Sequence, residues 1–203
     1  MVNSKKDDPE ERILEAARKV FLKKGMAGAR MQDIADEAGI NKAMLHYYFR
    51  SKEKLFEKIF SELSQYFFPK LVKIFESDES LFRKIERFVD EYIDQMSRTP
   101  YLPIFVLNEV NRQPEPFIRK MIGNRRPPVK KFFDSVEKEI KKGIIKPVSP
   151  AQLLLNIISL CVFPFAARPM FQIMANVDKV TFDALLQQRK RELPKFIIDG
   201  IKK

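Results

Sequence analysis

At 203 residues and 45% apolar content, the chain is long enough for one or two domains and too apolar for a disordered tail. A formal charge of +11 suits a polyanionic partner, nucleic acid or an anionic membrane surface, without choosing between them. The lone cysteine, Cys161, and the lone histidine, His46, exclude an internal disulfide and a His/Cys metal site.

Apolar residues recur at three- and four-residue spacing and strand-like alternation is absent, so the chain reads as all-α. The polar stretch Met1–Asp8 has no signal-peptide core. Asp8 can cap a first helix, with Pro9 at its first position and Glu11 where a capping box needs an acceptor. Its inward stripe is Ile13, Ala17, Val20 and Phe21, and Gly25 is expected to end it. A short helix of about Met31–Ala38 buries Met31, Ile34, Ala35 and Ala38, and Gly39 turns the chain. Asn41 caps the next, about Lys42–Phe49. Ser51 caps a fourth that begins at Lys52 and runs into the 70s, with Pro69 as a kink or break.

Beyond residue 77 the helices lengthen. One spans about Glu79–Arg98, with Leu81, Ile85, Phe88, Val89, Tyr92 and Met96 on one side. Thr99 and Pro100 open a segment to about Arg112, and Pro114 and Pro116 punctuate a short helix carrying Phe117 and Met121. Pro127 and Pro128 start the next, which carries Phe132, Val136 and Ile140 and closes at Gly143. Ser149, Pro150 and Gln152 form a strong start signal. The helix that follows is apolar nearly all round, which predicts burial on more than one side. A last helix spans about Val180–Lys202. The longest apolar stretch, Leu153–Ala167, is interrupted by Asn156, Ser159 and Pro164 and falls short of the roughly 20 residues a bilayer span needs. A cytoplasmic protein with no membrane partner is expected.

Residues 31–49 carry the chemistry. Two short helices joined by a tight turn at Gly39, with a longer helix before them, make a helix-turn-helix, whose second helix lies in the DNA major groove. Leu45 and Phe49 point back to the support helices, and Ala43 is small enough to sit beside the first short helix. Lys42, Met44, His46, Tyr47 and Tyr48 then face outward. Lys42 can meet a phosphate or a guanine edge, tyrosine hydroxyls can donate to phosphates, and Met44 can touch a base. Arg30 and Gln32 can reach the adjacent backbone, and Lys52 sits at a helix N-terminus that favours a phosphate. From Ala38 to Lys54 there are four basic residues and one acid, against thirteen and ten over residues 1–60, so the basic charge is concentrated near this face. His46 reads either as a DNA contact or as a solvent-facing histidine, and Tyr47 and Tyr48 point outward unless they join the core.

Residues 12–59 resemble the N-terminal domain of the TetR/AcrR family of bacterial repressors. The matching run is Ile13 to Ala17, Phe21, Gly25, Ile34 to Ile40, Leu45, and Tyr48 to Leu55. Two departures stand out. Arg30 and Met31 occupy the place where the family usually has a hydroxyl residue, and His46 sits where it often has tyrosine. The resemblance implies a helix-turn-helix domain over 1–52 and a helical ligand-binding and dimerisation domain over 53–203. It also implies a dimer on a pseudo-palindromic double-stranded operator and release of DNA on ligand binding.

In the second domain Tyr92, Met96, Tyr101, Phe105, Phe117, Met121, Phe163 and Phe171 either line a pocket for a small apolar ligand or simply pack the core. The helices near 129–142 and 151–166 are expected to form the homodimer; the other reading buries the second of them within one protomer. No cofactor, metal or catalytic residue is expected, and no carboxylate pair stands at an informative spacing. The leading reading is a ligand-responsive repressor; the alternative is a DNA-associated interaction protein with no small-molecule ligand.

Overall fold

The computed structural model describes residues 8–122 and 129–203, apart from the side chains of 120–122. Pro127 and Pro128, read as a helix start, lie outside the described residues, as does the Met121 side chain. Every element is helical, and the only bridge among the described residues is an isolated antiparallel pair, Ile145 with Lys202. The chain divides into two compact units, the first through Tyr66 and the second from Phe67. The sequence places the boundary at 52/53. The units instead divide inside a helix, because its first half supplies Leu55, Phe56, Ile59 and Phe60 to the first core.

In the first unit, α1 (Pro9–Gly28) is capped by Asp8, whose carboxylate accepts the Glu10 N–H at 2.9 Å. Gly25, at φ 68°, breaks its helical course, and one further turn follows to Gly28. Next, α2 (Met31–Ala38) ends on Gly39 at φ 65°, where the Ile40 N–H reaches the Ala35 carbonyl at 3.0 Å. That left-handed cap is where a glycine is required. Arg12 of α1 fastens the same corner by donating to the Ala38 carbonyl at 2.8 Å. After the turn comes α3 (Lys42–Tyr48), capped by Asn41 through the Met44 N–H at 2.7 Å. Ile13, Phe21, Ile34, Leu45 and Phe56 close the core, with the Phe21 and Phe56 rings edge to face at 5.2 Å.

One long helix, α4 (Lys52–Glu76), belongs to both units. It runs unbroken through Pro69, which is exposed, so the backbone bond proline cannot make is lost towards solvent. The second unit continues with α5 (Leu81–Arg98), α6 (Leu102–Arg112), α7 (Pro114–Ile122) and α8 (Lys130–Lys141). Then follow α9 (Pro150–Ala166), a short α10 (Arg168–Met174) that the sequence did not announce, and α11 (Lys179–Ile201). Helices α9 and α10 meet at a bend of 73°, and no single helix is long and apolar enough to cross a membrane. The core is built from α5 (Ile85, Val89, Ile93), α11 (Phe182, Leu186, Leu193) and α9 (Leu153, Ile157, Cys161, Phe165).

Only that four-residue stripe of α9 is buried; Leu155 and Phe163 on the same helix stand in solvent. The expectation that α9 is buried on more than one side is therefore not met within one chain. The other proposed dimer helix, α8, presents Lys130, Lys131, Asp134, Glu137 and Lys138 outward and no exposed large apolar side chain. Its apolar residues, Phe132 and Val136, are used inside the unit. The outward apolar surface lies on α9, α10 and α11 instead, at Leu155, Ile173, Met174, Val180 and Phe196.

A buried lysine interrupts α5. Lys84 is 2% exposed, and its ammonium donates to the Phe75 carbonyl at 3.1 Å and to Ser135 Oγ at 3.0 Å. Lys131 donates to the Glu76 carbonyl at 2.9 Å. The two cations thus satisfy carbonyls that the end of α4 leaves open, where the helix dipole favours positive charge. Burial, with the Lys131 charge beside it, holds Lys84 below the ordinary lysine range.

Candidate nucleic-acid interface

The seven residues of α3 present a sharply divided surface. At 100° per residue, Ala43 and Tyr47 lie opposite Leu45, while Met44 and Tyr48 flank it. Leu45 is fully buried and Phe49 nearly so; Tyr47 is 84% exposed and Tyr48 36%. Lys42, Ala43 and His46 are exposed and Met44 is half-buried. Size alone puts Ala43 inward and Met44 outward; helical phase puts them the other way round, and phase wins. The Tyr47 and Tyr48 rings meet edge to face at 5.4 Å, giving one aromatic projection. His46 Nδ1 lies 3.3 Å from the Arg50 carbonyl, which ties the ring to the turn that follows its own helix.

The charged residues around α3 separate into engaged and available cations. Lys42 and Arg50 are exposed and have no carboxylate partner among the described residues. Arg30 is exposed, and its backbone N–H donates to the Asp33 carboxylate at 3.1 Å. Lys24 also reaches Asp33, at 2.8 Å, and holds that carboxylate below its usual range, helped by the Arg30 N–H. Gln32 is exposed at the start of α2 and donates to Asp36 at 2.7 Å.

Lys52 is placed otherwise than its position suggests. Its ammonium donates to the Met26 and Ala29 carbonyls at 2.8 and 3.0 Å, at the end of α1. It satisfies open helix-end carbonyls and is not offered to a phosphate. The sequence gives no sign of this, since its partners lie 23 and 26 residues away.

The aromatic residues read as ligand-lining part company in the second unit. Tyr92 and Met96 line an apolar cavity of about 320 Å³ between α4, α5, α6 and α9. Phe67, Phe75, Phe88, Leu154 and Val162 complete much of its wall, and Tyr92 brings the single polar side chain among its lining residues. Burial keeps the Tyr92 hydroxyl protonated, pushing its titration well above the ordinary phenol range. Phe163 and Phe171 line a different groove, of about 310 Å³, between α9, α10 and α11. Tyr101, Phe105 and Phe117 line neither: Tyr101 is buried, and the Phe105 and Phe117 rings pack against each other at 6.3 Å. Those three belong to local packing around α6 and α7, a correction that periodicity could not supply. No cluster of three His, Cys, Asp or Glu side chains among the described residues is arranged to hold a metal.

Known proteins resemble both units. Residues 13–59 match the family of bacterial regulatory proteins, tetR family, and residues 82–197 match the tetracyclin repressor-like C-terminal domain. The HTH-type transcriptional regulator YfiR of Bacillus subtilis is 29% identical over 164 residues, covering 74% of this chain and 77% of its own. The ketosteroid transcriptional regulator KstR2 of Mycobacterium tuberculosis has the same fold, at TM-score 0.68 and 17% identity over 97% of this chain and 96% of that one. The transcriptional regulator FadR from Bacillus subtilis, solved in complex with stearoyl-CoA, aligns at TM-score 0.60 and 16% identity over 94% of this chain and 98% of its own.

Proposed function

We propose that this chain, which belongs to the TetR family of bacterial regulatory proteins, is a repressor that leaves its operator when a small, largely apolar molecule enters its second unit. Regulators of this family bind DNA operators and act as dimers. The observation that carries the DNA reading is the divided surface of α3: Leu45 seats the helix, while Lys42, His46, Tyr47 and Tyr48 stand outward without a core role. Tyr47 and Tyr48 pack on sugar or a thymine methyl and donate to phosphates, and Lys42 meets a phosphate or a guanine edge. Arg30 and Gln32 reach the flanking backbone, and Arg50 joins them as a further exposed cation. Met44, half-buried, contributes at most its edge.

Two such helices reach successive major grooves only in a dimer. We place its interface on the outer faces of α9 and α11, where Leu155 and Phe196 are 57% and 70% exposed. The cavity lined by Tyr92 and Met96 suits the ligand: an apolar body fills it and one acceptor or donor group meets the Tyr92 hydroxyl. A ligand that prefers the conformation in which the two reading helices are wrongly spaced releases the DNA, by its difference in affinity for the two states. Nothing in this scheme calls for catalysis or a cofactor, and it operates in the cytoplasm, where the chromosome is.

Fluorescence anisotropy with duplexes from the DNA flanking the chain's own gene tests this reading. The expected result is binding at or below about 10 nM by two chains per site, at physiological salt. Tyr47→Ala should weaken it roughly ten- to hundred-fold with the helical signal unchanged. Full affinity in both Tyr47→Ala and Lys42→Ala would put the reading surface elsewhere.

A further inference from the structure

His46 offers DNA a different group in each of its two charge states. Its Nδ1 lies 3.3 Å from the Arg50 carbonyl oxygen, and a carbonyl only accepts, so Nδ1 carries the ring proton. Nε2 is then a lone-pair acceptor in the neutral ring and a donor in the charged one. The side chain is exposed, and Nε2 has no partner among the described residues. A phosphate oxygen also only accepts. It repels the Nε2 of the neutral ring and bonds that of the charged ring.

The place of His46 on α3 favours phosphate over base. It lies in the last turn, one turn beyond Lys42. The N-terminal residues of a recognition helix meet base edges, so its far end comes out beside the backbone. The C-terminal end of a helix also favours a cation.

The free charges around the ring are of one sign. On α3 and the turn after it these are Lys42 and Arg50, both exposed, while Tyr47 and Tyr48 add hydroxyls only. The acids of α2 are engaged: Asp33 with Lys24, Asp36 with Gln32 and Glu37 with Lys19. Arg12 of α1 is held by the Ala38 carbonyl. At the start of α4, Glu53 accepts from its own N–H and from Ser51, Lys52 is spent on the end of α1, and Lys54 pairs with Glu57. No carboxylate pairs with the His46 ring among the described residues. Without DNA, Lys42 and Arg50 oppose a third positive charge; beside DNA, the phosphates attract it.

We propose that His46 binds an operator phosphate through Nε2 as the imidazolium, so that each recognition helix takes up one proton from water as it seats on DNA. This rests on the DNA reading above and adds the proton to it as a second ligand. Nδ1 keeps its own proton and its bond to Arg50. Because the bound state holds the proton more tightly than the free state, acid strengthens binding.

Anisotropy of the full chain on the duplex flanking its own gene, from pH 6 to pH 8 at constant ionic strength, tests it. The expected result is binding roughly tenfold tighter at pH 6, about threefold for each of two helices. His46→Gln, which cannot take a charge, should bind equally at both ends of the range. His46→Arg, charged throughout, should bind at pH 8 as tightly as the wild type does at pH 6. His46 is the only histidine in the sequence, so its ring resonances report its charge directly, and their titration midpoint should move up when the duplex is added. Wild-type affinity independent of pH, or a pH slope that survives in His46→Gln, would overturn the proposal. Affinity that rises with pH would overturn it too, and would make the neutral Nε2 an acceptor from a base amino group. Failure of the duplex to bind at any pH would remove the DNA reading itself, and the proposal with it.

Discussion

The two units dispose of their apolar side chains in opposite ways. In the first, the large apolar residues of α1 to α3 go inward, and those left exposed are Leu22 and the tyrosines Tyr47, Tyr48 and Tyr66, which carry hydroxyls. In the second, Leu155, Phe163, Ile173, Met174, Val180 and Phe196 remain in solvent. The first unit is thus complete as one chain, with a polar, basic face to offer. The second is a fold whose surface asks for more protein, and its interior keeps space for something else. Apolar patches of that extent usually mark an interface.

The largest effect is expected where that asymmetry is attacked directly. Phe196→Glu should leave the first unit folded yet cost operator affinity by roughly a hundredfold, because a single reading helix no longer has its pair. Sedimentation would show a monomer; a dimer of wild-type affinity would remove α11 from the interface. Next in size, Lys42→Ala should weaken binding and make the salt dependence shallower, by about one counterion for each phosphate that is no longer neutralised. An unchanged salt slope would mean that Lys42 reads a base or nothing.

Lys52→Met sharpens the comparison from the other side. It removes two hydrogen bonds from a charged donor to the end of α1, so it should destabilise the first unit by about 1–3 kcal/mol. Operator affinity measured well below the melting temperature should hold. A loss of affinity with no loss of stability would return Lys52 to the DNA. The smallest effect concerns Lys84. Its folded-state pKa lies below 10.5, so the unfolded chain binds more protons between the two values, and stability should rise with pH across that window. Urea midpoints at pH 7.5 and 9.5 should show the wild type gaining on Lys84→Met; parallel midpoints would mean that Lys84 keeps its ordinary pKa.

Some of this was legible at once. Asp8, Asn41, Ser51 and Ser149 each cap the helix that follows them, because a cap depends on residues two or three positions away. Gly39 turns the chain in the left-handed conformation that its place between two short helices demands. The phase of α3 is legible in principle: side-chain size favours Ala43 as the inward residue, and helical phase overrides it in favour of Met44. The aromatic residues of the second unit were a different matter. Tyr92 and Tyr101 look equivalent as sequence, yet one lines a cavity and the other is packed beside α6. Hydrophobicity says that a residue leaves water; it does not say which neighbours it finds.

The sequence by itself determined the helix starts at Asp8, Asn41, Ser51 and Ser149, the turn at Gly39, the seating of α3 by Leu45 and the family, all of which depend on spacing within some 50 residues. Tertiary structure alone decided where Lys52 and Lys84 send their charges, which aromatic rings enclose space, and that α11, not α8, shares the unburied apolar face with α9. Those outcomes rest on contacts between residues far apart in the chain, and packing geometry, unlike helical period, leaves no trace in local order.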